Sequence, residues 1–200
     1  MYDGPVFGPS SSVAAILLTG GSSRRMGHDK ALVIVDGSTL AVRTASLLQL
    51  VVETAIEVGP GVSGLPATCE EPQGDGPLVA IAEGCRALRA NGHTGGALVV
   101  ACDLPLLTER LLRFLVEWGS PGSVVPMVRG RAQPLLARWS RDDLDGARQL
   151  VNEGVRSLQH LVTQPHVALL DESTWPDVVA DDQFSDVDSP DDLRRLGLTS

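Results

Sequence analysis

Short apolar segments alternate along this chain with longer segments in which apolar residues recur at helical spacing. The short segments end at Gly, Pro or Asp, which is typical of strands buried on both faces of a sheet. The predicted strands cover residues 13–19, 54–58, 97–102, 123–127, 134–139, 167–170 and 184–187. The alternation predicts an α/β fold, in which a mostly parallel sheet carries helices on both faces.

Residues with helix-starting chemistry mark where the predicted helices begin. Thr39 or Ser38 is placed to cap a helix that runs to about residue 50, and Thr108 is placed to cap another. Pro77 stands at the first position of a helix that continues to residue 88, where its missing N–H is tolerated. The remaining predicted helices cover residues 141–161, either continuous or divided at Gly154, and a last helix opened by Ser189 and Pro190.

The length of 200 residues suits one well-packed domain, and we find neither an internal repeat nor a linker that would divide it. Residues 1–12 are rich in Gly, Pro and Ser, which indicates a flexible N-terminal tail. We therefore expect a single domain over residues 13–200.

Charge and cysteine content narrow the function classes. The formal net charge is -9, and an acidic chain gains little from a phosphate backbone, so nucleic acid is not an expected partner. Three scattered cysteines without CxxC spacing indicate reduced thiols. No apolar run reaches the ~18 residues of a membrane span, and residues 1–12 carry no Lys or Arg of a signal peptide. These features predict a cytoplasmic protein without a membrane partner.

The loop after the first predicted strand carries the strongest chemical signal. It reads GGSSRRMGHDK over residues 20–30 and lies beyond the carboxyl end of a strand, where ligands bind in doubly wound sheets. Gly20 and Gly21 let the backbone approach a ligand, while Arg24, Arg25 and Lys30 bring three cations together. The loop matches neither GxxxxGK[ST] nor GxGxxG. Its donors and cations are what a triphosphate needs.

A carboxylate directly follows the clearest predicted strand. Asp103 comes straight after residues 97–102, at the same edge of the sheet as the Gly-rich loop. Reactions of a triphosphate need a cation to neutralise phosphate charge, and Mg²⁺ takes one or two carboxylates while it keeps several waters. Asp103 is therefore the candidate metal ligand, and the alternative is a helix cap or turn residue.

The loop as a whole resembles the signature LxGGxSxRMGxDK of the MobA-like nucleotidyltransferases, and most closely that of the molybdenum cofactor guanylyltransferases among them. The resemblance covers most of the chain and implies a Rossmann-like three-layer α/β/α domain. It also implies an activity in which GMP is transferred from GTP to molybdopterin and pyrophosphate is released, with Mg²⁺ as cofactor. Other cofactor-biosynthesis proteins or molybdoenzymes are further partners that the resemblance implies.

Positions that match the family motifs suggest the nucleotide contacts of this chain. Leu18, Thr19 and Gly20 match the backbone that reads the base, although Thr19 stands where Ala is more common. Gly20-Gly21 favours GTP, because related cytidylyltransferases begin this loop differently. The resemblance implies that Arg25 and Lys30 bind phosphate, while Ser23 adds a short donor. Asp103-Leu104-Pro105 is similar to the family's metal motif, so Arg25, Lys30 and Asp103 are the expected catalytic residues.

Three further stretches resemble family elements. An acid before Gly76-Pro77-Leu78 is expected to contact the nucleotide; Glu71 lies nearest to it, and Asp75 is the rival. Asp186 and Asp188 occupy both Asn positions of an NxNTP-like element, which suggests second-substrate contacts, another metal ligand or simply a capped final helix. Arg131 and Gln133 lie in a loop that faces the second substrate in the family, and the alternative is a solvated hairpin.

Two other functions remain open at this stage. One is a related transferase, such as a cytidylyltransferase or an enzyme that activates a phosphorylated small molecule. The other is a non-catalytic nucleotide-binding partner of molybdoenzymes. This alternative is supported by Thr19, Asp186 and Asp188, which differ from the residues usual at these positions of the family motifs.

Overall fold

The computed structural model describes residues 10, 12–20, 30–71, 73–120, 122–175, 179–188 and 190–198. Its strands are β1 Val13–Leu18, β2 Ile34–Val35, β3 Ser38–Thr39, β4 Ala55–Val58, β5 Ala67–Thr68, β6 Gly96–Ala101, β7 Val124–Val128, β8 Arg131–Ala132, β9 Leu136–Trp139 and β10 Ala168–Leu170. Its α-helices are α1 Leu40–Val51, α2 Pro77–Ala90, α3 Glu109–Glu117, α4 Arg141–Asn152, α5 Gln159–Val162 and α6 Pro190–Arg195. Short 3-10 helices cover Lys30–Leu32, Glu172–Thr174 and Asp181–Phe184.

The main sheet has the strand order β10-β7-β9-β6-β1-β4-β5, with β8 paired to β7. Strand β1 is parallel to both β4 and β6, and Leu18 pairs with Val58 on one side and Ala101 on the other. Strand β9 is antiparallel to β6 and β7. The carboxyl ends of β4, β1 and β6 therefore lie side by side, and residues that follow these three strands meet at one edge.

Helices cover both faces of the sheet, so the domain has three layers. In β1, Ala15 and Leu17 pack in a core cluster with residues of α1 and α3, whereas Ala14, Ile16 and Leu18 pack with residues of α2 and α4. Successive side chains of a strand point to opposite faces, which is why one continuous apolar strand serves both clusters. The predicted α/β fold with a mostly parallel, two-sided sheet is confirmed.

Most predicted helix starts are also confirmed. The Thr39 hydroxyl accepts a hydrogen bond from Val42 N (3.3 Å), and the Thr108 hydroxyl accepts one from Leu111 N (3.3 Å). Pro77 occupies the start of α2. The segment at 141–161 is divided, since α4 ends at Asn152 and Gly154 follows with a φ of 86°.

The predicted strand over residues 184–187 is wrong. Residues 181–184 form a 3-10 helix, and the chain then continues without regular structure to Asp188. The apolar residues Phe184 and Val187 are buried, but Val187 N donates to Asp103 O (3.0 Å) instead of joining a ladder. A short apolar pattern does not distinguish a strand from a loop held by isolated contacts.

Strands β5 and β8 were absent from the predicted set because two residues are too few to show a pattern. Within the ranges described above, no helix is long and apolar enough to cross a membrane.

Candidate nucleotide site

An open cleft of about 320 Å³ lies at the sheet edge where β1 and β6 end. Its floor is formed by residues 18–20 and 101–103, and its walls by Lys30, Glu70 and the start of α2. The floor is held together by the main chain, since Leu18 O accepts from Cys102 N and Val58 O accepts from Thr19 N, each at 3.1 Å. Residues predicted from two separate stretches of sequence thus line one cleft.

A cation and two carboxylates meet beside this cleft. Lys30 Nζ lies 3.2 Å from Asp103 Oδ2 and also donates a short hydrogen bond to Asp188 Oδ1. Lys30 and Asp103 have side-chain exposures of 18% and 22%, whereas Asp188 is mostly exposed at 66%. The three residues come from the loop after β1, the end of β6 and the segment before α6. They form a cluster in which one ammonium lies between two carboxylates.

The protonation properties of the cluster follow from its partial burial. Burial raises the pKa of Asp103 above its usual range; attraction and a hydrogen bond from Lys30 oppose that rise, and the charge of Asp186 adds to it. For Lys30, burial acts to lower the pKa, but contacts with Asp188 and Asp103 outweigh it, so the pKa lies above the ordinary lysine value. The ammonium is therefore firmly charged at neutral pH, while Asp103 still gains from further positive charge.

The acid that faces the cleft is Glu70 rather than the predicted Glu71. Glu70 is 7% exposed, and its Oε1 accepts a hydrogen bond from Gly74 N (3.1 Å) beside Gly20. Glu71 is exposed and lies outside the cleft lining, and the rival Asp75 pairs with Arg156 at 2.6 Å. Neighbouring acids in a loop look equivalent in sequence, and the path of the backbone decides which one turns inward.

A second pocket, of about 680 Å³, brings three of the predicted second-substrate residues together. Arg131, Gln133 and Asp186 line it, whereas Asp188 belongs to the Lys30 cluster instead. The pocket adjoins the cleft region, because Val187, the neighbour of Asp186, donates its N–H to Asp103 O (3.0 Å).

Two further arginines line this second pocket: Arg129, which belongs to the same basic stretch as Arg131, and Arg195, which the sequence analysis missed. Arg129 pairs with Asp181 at 3.1 Å, and Arg195 of α6 pairs with Asp192 at 3.2 Å. The signal for Arg195 was the basic pair at the end of the last helix, which by itself looks like a charge complement to the helix dipole.

Several predicted residues lie outside the described part of the chain. These are Gly21, Ser23, Arg24 and Arg25 of the loop after β1, Ser189, which was predicted to open the last helix, and residues 1–9 and 11 of the predicted N-terminal tail. The cleft at the carboxyl ends of β1 and β6 is lined by five of the predicted site residues: Leu18, Thr19, Gly20, Lys30 and Asp103.

A three-layer α/β domain that gathers a lysine, a carboxylate and a loop backbone at the end of its first strand has the architecture of a nucleotide-binding enzyme. The family model described as the MobA-like NTP transferase domain matches residues 15–168. This chain belongs to that family, and it is a nucleotidyltransferase.

Individual relatives agree with this assignment. A protein of Bacillus cereus named "Probable molybdenum cofactor guanylyltransferase" is 32% identical over 169 residues, which is 78% of this chain and 82% of the relative. The crystal structure of molybdopterin-guanine dinucleotide biosynthesis protein A from Archaeoglobus fulgidus superposes with a TM-score of 0.71 at 22% identity, covering 92% of this chain and 96% of that one. A Mycobacterium tuberculosis protein solved with manganese superposes with a TM-score of 0.61 at 18% identity, over 94% and 98% of the two chains. These two structures show the shared fold.

Proposed function

We propose that this nucleotidyltransferase transfers GMP from GTP to molybdopterin, with release of pyrophosphate and with Mg²⁺ as its metal. The observation that carries the proposal is the contact between Lys30 and Asp103, which places a firmly charged ammonium and a partly buried carboxylate beside the cleft. The choice of GTP and molybdopterin is supported by the similarity to the Bacillus cereus protein named as a probable molybdenum cofactor guanylyltransferase.

The side chains beside the cleft fit a hard divalent cation. Asp103 offers carboxylate oxygens that are largely withdrawn from water, and burial raises its pKa, so added positive charge is favourable there. Among the described residues, no group of three or more His, Cys, Asp or Glu side chains could hold a metal alone. That suits Mg²⁺, which is held by one or two carboxylates together with waters and substrate phosphates. Asp103 would hold the ion, with Asp188 nearby, and the ion would supply neutralisation of phosphate charge.

In the proposed reaction, a phosphate oxygen of the acceptor attacks the α-phosphorus of GTP. The bond between that phosphorus and the oxygen leading to the β-phosphate breaks, and its electron pair leaves with pyrophosphate. The attacking phosphate is already ionised at neutral pH, so the chain needs no strong general base. What the protein contributes is positioning and fixed positive charge.

Each part of the site then has a role. The main chain of residues 18–20 reads the base, Glu70 contacts the nucleoside, and Lys30 with Arg25 neutralises the departing phosphates. Arg131, Gln133 and Asp186, joined by Arg195, provide the polar pocket for the acceptor. The guanidinium of Arg131 is well suited to an anionic acceptor, because it presents several donors to phosphate oxygens.

Isothermal titration of the purified protein with GTP, CTP and ATP, each with and without Mg²⁺, tests this proposal. We expect GTP to bind most tightly and Mg²⁺ to strengthen the binding, followed by pyrophosphate release when molybdopterin is added. A preference for CTP would move the function to a cytidylyltransferase. Nucleotide binding without any pyrophosphate release in the presence of molybdopterin would contradict the proposed reaction.

A further inference from the structure

Glu57 is a fully buried carboxylate near the carboxyl end of β4. It is the third residue of β4, is 0% exposed, and has apolar neighbours Ile56 and Val58 in the strand. Burying a charge costs a great deal of free energy unless hydrogen bonds replace the lost water. A carboxylate at this position therefore requires an explanation in terms of its partners.

Five donors surround the Glu57 carboxylate. Oε1 accepts from Thr19 Oγ1 (2.5 Å), Gly61 N (2.7 Å) and Val62 N (3.0 Å). Oε2 accepts from Ser63 N (2.8 Å) and Ser63 Oγ (2.5 Å). Burial acts to raise the pKa of Glu57, but these hydrogen bonds outweigh it and hold the pKa below the ordinary value. The side chain is thus an anion at neutral pH, and the loop 59–63 is wrapped around it.

The same carboxylate is tied to the floor of the nucleotide cleft. Thr19 lines the cleft but is only 4% exposed, and its hydroxyl is directed to Glu57. Gly59, at the start of the wrapped loop, lies against the residues that follow β1: a Cβ there would come within 2.1 Å of Thr19 Oγ1 and 2.8 Å of Gly20 N. Only a residue without a side chain permits this approach.

Two chain segments are consequently locked together at the base of the cleft. Val58 O accepts from both Thr19 N (3.1 Å) and Gly20 N (3.4 Å), and Glu57 joins the same two segments through its side chain. The main chain of Thr19 and Gly20 cannot shift without breaking the bonds to Glu57 or colliding with Gly59. Its position is therefore set by a buried anion that does not itself line the cleft.

We propose that Glu57 is a positioning residue for nucleotide recognition, which holds the Thr19–Gly20 main chain and the loop 59–63 in the arrangement that binds the nucleoside. The inference rests on the proposed placement of the nucleotide in this cleft. Hydrogen bonds from a rigid main chain discriminate between bases only if their directions are fixed, so loss of Glu57 should reduce affinity and selectivity more than turnover.

The test compares Thr19→Val and Glu57→Gln with matched changes at another buried carboxylate, Asp143. Asp143 is 5% exposed and accepts a hydrogen bond from the buried hydroxyl of Ser123, far from the cleft at the amino edge of the sheet. Ser123→Ala and Asp143→Asn therefore remove equivalent groups without altering the cleft floor. Ser123 also accepts from Ser140 N (2.8 Å), so its loss should destabilise the fold at least as much as loss of the Thr19 hydroxyl.

The measurements are the GTP dissociation constant with Mg²⁺, the preference for GTP over ATP, KM, kcat and the melting temperature. We expect Thr19→Val and Glu57→Gln to weaken GTP binding about tenfold, the effect of losing one hydrogen bond to a charged group, while kcat changes less than about threefold. We expect Ser123→Ala and Asp143→Asn to lower the melting temperature without changing either affinity or preference.

Unchanged GTP affinity in Thr19→Val, at a temperature well below its melting transition, would overturn the inference even if Glu57→Gln failed to fold. Equal losses of affinity in the Glu57 and Asp143 variants would also overturn it, because they would indicate general destabilisation. If the unaltered protein bound no nucleotide at all, the proposed function would fail and this inference with it. Binding by the unaltered protein that the Glu57 and Thr19 changes leave intact would remove this inference alone.

Discussion

Two buried carboxylates lie at opposite edges of the same sheet, and they have different roles. Glu57 lies at the carboxyl edge and joins the end of β1 to the loop after β4. Asp143, in the first turn of α4, lies at the amino edge, where it accepts from the hydroxyls of Ser123 and Ser140 and lies 2.8 Å from Nε2 of His166. Both carboxylates have several hydrogen-bond partners in place of water.

The difference between them is what surrounds the network. Around Asp143 the partners are Ser123 just before β7, Ser140 at the cap of α4 and His166 just before β10, so this network connects structural elements. Around Glu57 the network ends at the floor of a cleft that also contains Lys30, Glu70 and Asp103. Parallel strands direct the loops that follow them to one edge, and ligands bind at that edge. A buried carboxylate can therefore support a ligand site at the carboxyl edge, whereas a similar carboxylate at the amino edge has a structural role.

The largest expected effect is a loss of turnover when the charged residues Lys30 and Asp103 at the carboxyl edge are replaced, compared with a charged residue elsewhere on the surface. We expect Lys30→Ala and Asp103→Ala to fold normally but to lose on the order of 10²–10³ in turnover, since the first removes the ammonium that neutralises the departing phosphates and the second removes the proposed ligand of the metal ion. Pyrophosphate release measures the loss. Arg86→Ala is the control, because Arg86 is a cation paired with Glu83 on α2 outside the cleft. Near-normal turnover in either cluster variant would contradict the role given to it.

The second prediction concerns stability, in which the two edges should behave alike. Glu57→Gln and Asp143→Asn each leave buried donors without a full acceptor, which costs about 1–3 kcal/mol for every group left unsatisfied. We expect both variants to lose about 2–4 kcal/mol of the free energy of unfolding in urea titrations. A change of less than about 0.5 kcal/mol in either variant would show that its network is not a source of stability.

A smaller effect should distinguish two adjacent acids. Glu70 is buried at the cleft and Glu71 is exposed outside it, so Glu70→Gln should weaken GTP binding about tenfold while Glu71→Gln leaves it unchanged. Titration calorimetry on the two variants makes the comparison, and each serves as the control for the other. The reverse order of effects would restore Glu71 as the nucleotide contact.

The smallest effect should appear in the dependence of stability on pH. Burial acts to raise the pKa of Glu57, yet its hydrogen bonds hold the pKa below the ordinary glutamate value. A carboxylate whose pKa is lower in the folded state stabilises the fold above its unfolded pKa, and this contribution is lost as the pH falls through the folded value. The gap in unfolding free energy between the unaltered protein and Glu57→Gln should therefore narrow as the pH is lowered from 7 to about 3. A gap that stays constant over this range would mean that Glu57 does not carry the charge.

Much of the fold was accessible from the sequence because its signals are local. The apolar runs of β1, β4 and β6, and the caps at Thr39 and Thr108, depend on residues within a few positions of one another. The placement of Asp103 directly after β6 was equally local. The wrong prediction of a strand at 184–187 also came from a local pattern. This segment has the apolar residues of a strand, but its hydrogen-bond partner is the main chain at Asp103.

The sequence by itself determined the order of strands and helices, the family, and the presence of a Gly-rich cationic loop and a strand-end carboxylate. Only the tertiary structure decided that Glu70 turns inward while Glu71 does not, that Asp188 joins Lys30 across 158 positions, and that Glu57 reaches Thr19 across 38. The physical reason is that periodicity and capping act within a turn or two of chain. A buried charge is stable only through partners brought to it by the folded sheet, and no local pattern specifies those partners.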